Sequence, residues 1–78
     1  MKKIRILIAD DHSLLRFGLT ALFNRQDDMT VVGEAGDGVA AEAMAKDLQP
    51  DVVIMDLMMP RADGADATKA IKEALPDT

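Results

Sequence analysis

The aspartates of this sequence fall where phosphate and metal chemistry could use them. Asp10 and Asp11 are adjacent and directly follow the apolar segment Ile4–Ala9, and Asp56 closes a second apolar segment, 52–55. If the two segments are neighbouring parallel strands, the three carboxylates meet at one edge of a sheet. Two like charges about 4 Å apart repel by roughly 4 kcal/mol at an effective dielectric near 20. Such a cluster therefore requires protons or a cation.

Mg²⁺ is the cation that these residue types fit best. The chain has no cysteine and only one histidine, so carboxylate oxygens are its main metal ligands. A carboxylate beside such an ion can attack phosphorus and form an aspartyl phosphate while the metal neutralises the developing charge. Asp56 is the predicted nucleophile, because it directly follows the apolar run 52–55 and its side chain is expected to project into the crevice.

The acidic residues also permit a plainer interpretation. Carboxylates at strand ends often cap helices or carry solvated charge, and Glu42, Asp47 and Asp51 are expected to be solvated. Capping does not explain two adjacent aspartates after a buried strand, because a cap needs only one. His12 could in principle accept phosphate, but a histidine at a helix start is more often an orienting or capping group.

Three strands are predicted to position these residues. Apolar, β-branched runs predict strands at Ile4–Ala9, Met29–Ala35 and Asp51–Asp56. The first strand is apolar at nearly every position, which is typical of a strand buried on both faces. Parallel strands need crossover connections, nearly always right-handed, so the pattern predicts a parallel sheet covered by helices.

Three helices are predicted between and after these strands, the first from His12 to about Gln26. Apolar residues spaced by three and four define their buried stripes. The stripes are Leu15, Leu19, Leu22 and Phe23, then Ala40, Ala43, Met44 and Leu48, then Ala67, Ala70, Ile71, Ala74 and Leu75. Asp37 and Asp63 are expected to cap the second and third helices, and Pro50 and Pro76 to end them.

The composition excludes several classes of protein. The 78 residues carry 9 Lys+Arg against 14 Asp+Glu with no basic cluster, which argues against direct nucleic-acid binding. The absence of cysteine excludes a disulfide-stapled scaffold and is compatible with the cytoplasm. Since no apolar run approaches the roughly 20 residues of a membrane helix, we expect no membrane span.

The segments around the aspartates resemble the receiver domain of bacterial response regulators of the LuxR/NarL type. The resemblance rests on the order and spacing of 6–12 with 15–19, then 31–35, then 50–60 with 63–64, and it covers the whole chain. It implies a flavodoxin-like (CheY-like) three-layer α/β/α fold with a parallel sheet. For this chain the implied element order is β1-α1-β2-α2-β3-α3 and the implied strand order is 2-1-3.

The resemblance also implies a role for each residue of the acidic edge. Asp56 is the implied phosphoacceptor, and the implied Mg²⁺ ligands are Asp10, Asp11, Asp56 and the backbone carbonyl of Met58. A histidine kinase would donate the phosphoryl group, and a DNA-binding output domain outside this chain would regulate transcription. Such a domain is a phosphoacceptor that assists its own phosphorylation and dephosphorylation rather than an enzyme.

The family has five strands, so residues 1–78 are interpreted as the amino-terminal part of a receiver domain. Strands four and five, with their threonine or serine and lysine, would follow, and Thr78 is not that switch hydroxyl. An uncovered third strand would present an unpaired edge, which favours pairing with another chain. A homodimer through the edge of strand three is therefore expected of this segment alone.

Two other functions remain open at this point. One is a self-associating segment that is never phosphorylated. The other is a Mg²⁺-dependent phosphohydrolase with an aspartate nucleophile. Hydrolases of the haloacid dehalogenase type need two aspartates separated by one residue after the first strand, whereas Asp10 and Asp11 are adjacent. The hydrolase is therefore the less favoured alternative.

Overall fold

The fold is a three-stranded parallel sheet packed against three helices. The computed structural model describes residues 2–56 and 63–78. Its elements in chain order are β1 (Ile4–Ala9), α1 (Ser13–Asn24), β2 (Met29–Ala35), α2 (Gly38–Leu48), β3 (Val52–Met55) and α3 (Gly64–Ala74). Both strand pairs are parallel and the order across the sheet is β2-β1-β3, which confirms the predicted topology.

β1 is the central strand and is buried on both faces over most of its length, as its largely apolar sequence predicted. Residues 6–9 are each at most 3% exposed. Because successive side chains point to opposite faces, Leu7 and Ile8 enter different layers. On one face Leu7 packs with Ala45 of α2 and Ile71 of α3. α1 packs beside β1 and β2. Since α2 and α3 cover the face of Leu7, the alternation of side chains along β1 assigns α1 to the opposite face, which Ile8 enters.

Two of the three helices begin at the predicted aspartates. Asp37 Oδ1 accepts a hydrogen bond from the Ala40 amide at 2.7 Å, and Asp63 Oδ1 accepts one from the Asp66 amide at 2.9 Å. These bonds satisfy amides that a helix start leaves without intrahelical partners, so both predicted caps are confirmed.

Within the described residues, no helix is long and apolar enough to cross a bilayer.

The buried stripes of α1 and α2 differ from the predicted ones. No residue of α1 is buried, and Leu15 and Leu22 are more than half exposed, because no described element packs over that side of the helix. In α2 the predicted Ala43 is exposed, whereas Ala41 and Ala45 are fully buried. Residues two apart on a helix point about 200° away from each other, so Ala43 cannot share their face.

Gly33 of β2 lies against the side chains of Leu48 and Met44 of α2. A Cβ atom there would be 2.8 Å from Leu48 Cδ1 and 3.0 Å from Met44 Cε. We therefore expect Gly33→Val to lower the free energy of unfolding by about 1–3 kcal/mol through overpacking. Urea titration followed by far-UV circular dichroism measures this, since the chain has no tryptophan or tyrosine.

Gly18 in the middle of α1 provides a matched control. A Cβ atom at Gly18 would have no other atom within 4 Å. Gly18→Ala should raise the free energy of unfolding by roughly 0.5–1 kcal/mol, because glycine costs a helix more conformational entropy than alanine. If Gly33→Val were as stable as the wild type, the close packing of Leu48 and Met44 over Gly33 would be wrong.

Candidate functional site

The carboxyl ends of β1 and β3 bring the predicted aspartates together. The amide of Asp10 donates to β2 at 3.0 Å and the amide of Asp56 donates to β1 at 2.9 Å, so both residues continue the ladder at the end of the sheet. Asp10, Asp11, His12 and Asp56 each offer one ligand atom, and these atoms all lie within 4.8 Å of one another. The convergence expected from the strand ends is thus present in the structure, with His12 added.

Asp10 is the buried member of this acidic cluster. The residue is 8% exposed, and its Oδ1 accepts hydrogen bonds from the His12 amide at 2.8 Å and from His12 Nδ1 at 3.0 Å. The bond from the His12 amide is the main reason that the pKa of Asp10 lies below its ordinary value, and it outweighs desolvation, which acts in the opposite sense. Asp10 is therefore held as a carboxylate.

His12 precedes α1 but does not cap it with its side chain. The imidazole instead turns back to the acidic pair, with Nδ1 3.0 Å from Asp10 Oδ1 and 3.1 Å from Asp11 Oδ1. Of the orienting and capping roles considered for His12, side-chain capping is wrong, because the ring contacts the two carboxylates instead of the helix amides. The bond to Asp10 is the largest cause of a pKa of His12 above its ordinary value, followed by the charge of Asp11.

Titration of His12 tests this arrangement in the metal-free chain. The charged ring is favoured in the fold, so its stabilising effect is present below about pH 6.5 and is lost as pH rises through the folded-state pKa. We expect the C2 proton, which belongs to the only histidine of the chain, to titrate in NMR spectra with a midpoint above that of a free histidine. Asp10→Asn should lower the midpoint, and a wild-type midpoint at or below the ordinary value would contradict the contacts.

The donor set of the cluster fits a hard divalent cation. Three carboxylates within 4.8 Å supply the oxygen ligands that Mg²⁺ prefers, and the Asp11 side chain is 34% exposed, which leaves the site open to solvent. His12 engages one oxygen each of Asp10 and Asp11, so the second oxygen of each carboxylate stays free of that contact. Met58, predicted to add a backbone carbonyl, lies outside the described residues.

The three carboxylates expected to be solvated have different surroundings. Asp47 is exposed on α2, and Glu42 is joined to Lys46 by an ion pair of 2.9 Å along the same helix. Asp51 is exposed but not merely solvated, because its Oδ2 accepts the backbone amide of Arg5 at 2.8 Å. That bond attaches the start of β3 to β1, a structural role that the sequence pattern did not indicate.

Arg16 is a neighbour of the site that sequence reasoning missed. The hydropathy pattern of α1 places Arg16 off the apolar stripe and gives no partner for it. In the structure Nη1 donates to the backbone carbonyl of Asp10 at 2.5 Å, and Nε donates to Glu34 Oε1 at 3.3 Å. The Arg16 side chain is 22% exposed. Periodicity places Arg16 on a helix face but does not reveal that the side chain reaches back to the preceding strand.

Known proteins match this chain in sequence and in fold. Residues 6–78 match the response regulator receiver domain family. The transcriptional regulatory protein YxjL of Bacillus subtilis is 53% identical over 76 residues, which cover 97% of this chain and 35% of the relative. The chain thus spans about a third of the length of the curated relatives it matches.

Two solved structures illustrate the likeness in fold. The receiver domain of the response regulator NarL from Mycobacterium tuberculosis is 38% identical with a TM-score of 0.89, covering 94% of this chain and 59% of that one. RcsB from Salmonella enterica, solved on promoter DNA with the phosphomimetic BeF₃⁻, is 33% identical with a TM-score of 0.86, covering 97% of this chain and 39% of that one. With its CheY-like fold, the chain belongs to the receiver domain family of two-component response regulators, with relatives of the LuxR/NarL type.

Proposed function

We propose that this chain accepts a phosphoryl group from a histidine kinase on Asp56, with Mg²⁺ bound by Asp10, Asp11, Asp56 and the backbone carbonyl of Met58. The observation that carries the proposal is the convergence of three carboxylates at the carboxyl edge of the sheet. Membership of the receiver family supports it and favours a phosphoacceptor over a phosphohydrolase. The BeF₃⁻ in the RcsB structure, a phosphoryl mimic, supports it further.

Each aspartate has a separate task in this proposal. A carboxylate oxygen of Asp56 attacks the phosphorus of the phosphohistidine, so that an O–P bond forms while the P–N bond to the kinase breaks and the histidine keeps the electron pair. Asp10 and Asp11 hold the cation. When bound, Mg²⁺ neutralises charge on the phosphoryl oxygens. The same residues would assist attack by water on the aspartyl phosphate, which limits the lifetime of the signal.

Acetyl phosphate provides the direct test. We expect incubation with Mg²⁺ to add one phosphoryl group, detected by intact-mass spectrometry and lost in Asp56→Asn. Asp47→Asn, which removes an exposed aspartate of α2, is the matched control and should react like the wild type. A phosphoryl adduct that persists in Asp56→Asn would refute Asp56 as the phosphoacceptor. An adduct that forms equally with EDTA in place of Mg²⁺ would refute the role of the metal.

The output of the phosphorylated chain is proposed to be transcriptional and to act through another domain. The relative YxjL is named a transcriptional regulatory protein, and RcsB was solved on promoter DNA. This chain carries 14 acidic against 9 basic residues, so contact with DNA is assigned to an output domain rather than to these residues. A cytoplasmic location follows from the proposed kinase and DNA partners. That strands four and five follow this segment stays a prediction.

Self-association through β3 is a second candidate function for the chain alone. Among the described strands β3 pairs only with β1, and Val52 and Ile54 are 40% and 37% exposed. A groove of about 260 Å³ runs beside this edge, lined by residues such as Val53, Met55 and Ile71. An apolar strand edge beside an apolar groove can add a strand from a second copy.

Light scattering tests the self-association of the chain. We expect a concentration-dependent dimer for the wild type and a monomer for Ile54→Lys, because a charge on the edge strand opposes pairing. Val39→Lys places the same charge on an exposed position of α2 and should leave the dimer intact. A wild type that stays monomeric at high concentration would refute the dimer without touching the phosphoacceptor proposal.

A further inference from the structure

Arg16 joins three parts of the fold around the acidic pair. It belongs to the first turn and a half of α1, its Nη1 donates to the backbone carbonyl of Asp10 at 2.5 Å, and its Nε donates to Glu34 in β2 at 3.3 Å. A Cβ atom on Gly36 would lie 3.5 Å from Nη1, so the guanidinium also lies along the turn after β2. One side chain therefore connects α1, the end of β2 and the β1–α1 connection.

The bond to the Asp10 carbonyl fixes the peptide that links the two aspartates. A peptide unit is planar, so fixing the direction of its carbonyl also fixes the orientation of the amide and Cα of the next residue. The Asp10 amide is already held by β2 at 3.0 Å. With its carbonyl held by Arg16, the backbone of Asp10 is restrained on both sides, and the direction in which Asp11 leaves the strand is set.

We propose that Arg16, braced by Glu34, is a positioning residue that presents the Asp10–Asp11 pair to the metal. The inference rests on the proposed metal site and adds a residue that acts through backbone geometry. Groups that orient metal ligands without touching the metal typically change metal affinity about 10- to 100-fold when they are removed. Arg16 is such a group, since its contact is to a carbonyl rather than to a carboxylate of the cluster.

A role through charge and a role through positioning predict opposite changes in metal affinity when Arg16 is replaced. A guanidinium near a cation site repels the cation, so if charge alone mattered, loss of Arg16 would tighten metal binding. If Arg16 positions Asp11, its loss weakens binding although a repelling charge has gone. Arg16→Lys keeps the charge but has no planar fork with which to reach two acceptors. The double variant R16Q/E34Q removes one positive and one negative charge and leaves the local net charge unchanged.

Mn²⁺ is the probe for the experiment, because the EPR signal of the free ion falls as it binds. We expect Arg16→Lys and R16Q/E34Q each to raise the dissociation constant about 10-fold relative to the wild type. Arg25→Gln, which removes an exposed arginine just after α1, is the control and should bind like the wild type. Far-UV circular dichroism at the assay temperature establishes that each variant is folded. If R16Q/E34Q does not fold, the affinity of Arg16→Lys alone decides between the two outcomes.

The outcomes separate this inference from the proposed function. Wild-type affinity in Arg16→Lys, or binding by R16Q/E34Q that is as tight as the wild type or tighter, overturns the positioning role while the metal site stands. If the wild type binds no Mn²⁺, or binds it as well after Asp11→Asn, the metal site itself fails and the inference fails with it. Weaker binding in both Arg16 variants, with Arg25→Gln unchanged, supports positioning.

Discussion

Replacing Leu7 with alanine is expected to remove much of the stability of the fold. Leu7 is fully buried at the centre of the sheet, in one cluster with Ala45 and Ile71. Truncation of a buried leucine costs about 2–5 kcal/mol, because transfer energy is lost and a cavity remains. A chain of 78 residues has a total stability of only about 4–12 kcal/mol at typical values per residue. A large unfolded fraction should therefore be present at moderate urea.

Leu14 offers the matched control for this prediction. It is 82% exposed on α1, so Leu14→Ala should change the free energy of unfolding by no more than about 0.5 kcal/mol. Urea titrations of the wild type and both variants, followed by far-UV circular dichroism, give the comparison. Equal stability losses in the two variants would show that β1 is not the centre of the core.

The strands were predictable because their signal is local. β1 is apolar at every position except Arg5, and the structure gives it the same bounds as the sequence, Ile4–Ala9. The caps Asp37 and Asp63 were predictable for the same reason, since capping depends on a residue and the amides two or three positions later. Features that depend on a few consecutive residues can thus be obtained from one sequence.

The faces of the helices were harder to predict, because partners distant in sequence decide them. α2 carries alanines at 40, 41, 43 and 45, and hydropathy alone does not rank these positions. Packing against the sheet selects Ala41 and Ala45. α1 carries the predicted apolar stripe along one side, but Leu15 and Leu22 of that stripe are more than half exposed, since no described element covers them.

At the site, sequence predicted which residues converge but not what holds them. Parallel strands end at a common edge, so Asp10, Asp11 and Asp56 could be placed together from the pattern of strands alone. The contact from Arg16 to the Asp10 carbonyl depends on the path of a long side chain across a connection. No residue spacing encodes that path.

The two adjacent aspartates have unequal surroundings, which makes Asp11 the better residue for mutation. Asp10 is buried and accepts two hydrogen bonds from His12, so its replacement disturbs the connection to α1 as well as the cluster. The Asp11 side chain is 34% exposed and contacts His12 Nδ1 at 3.1 Å. Asp11→Asn therefore changes the charge of the cluster with little change in its packing.

Asp11→Asn is expected to weaken Mg²⁺ binding at least about 100-fold while leaving the metal-free fold as stable as the wild type. A unit charge about 4 Å from another contributes roughly 4 kcal/mol at an effective dielectric near 20, and partial exposure of Asp11 reduces this to about 3 kcal/mol, or two powers of ten. The metal-free fold gains from relief of like-charge repulsion what it loses in the contact with His12, so no net destabilisation is expected.

Isothermal titration with Mg²⁺ and thermal unfolding with and without the ion measure the two quantities separately. The wild type should melt at a higher temperature when Mg²⁺ is added, because a ligand bound only to the folded state stabilises it, and Asp11→Asn should lose that shift. Asp28→Asn, an exposed aspartate before β2, should keep it. If Asp11→Asn instead lowered the stability of the metal-free chain and kept its affinity for Mg²⁺, Asp11 would be a residue of the fold rather than a ligand of the metal.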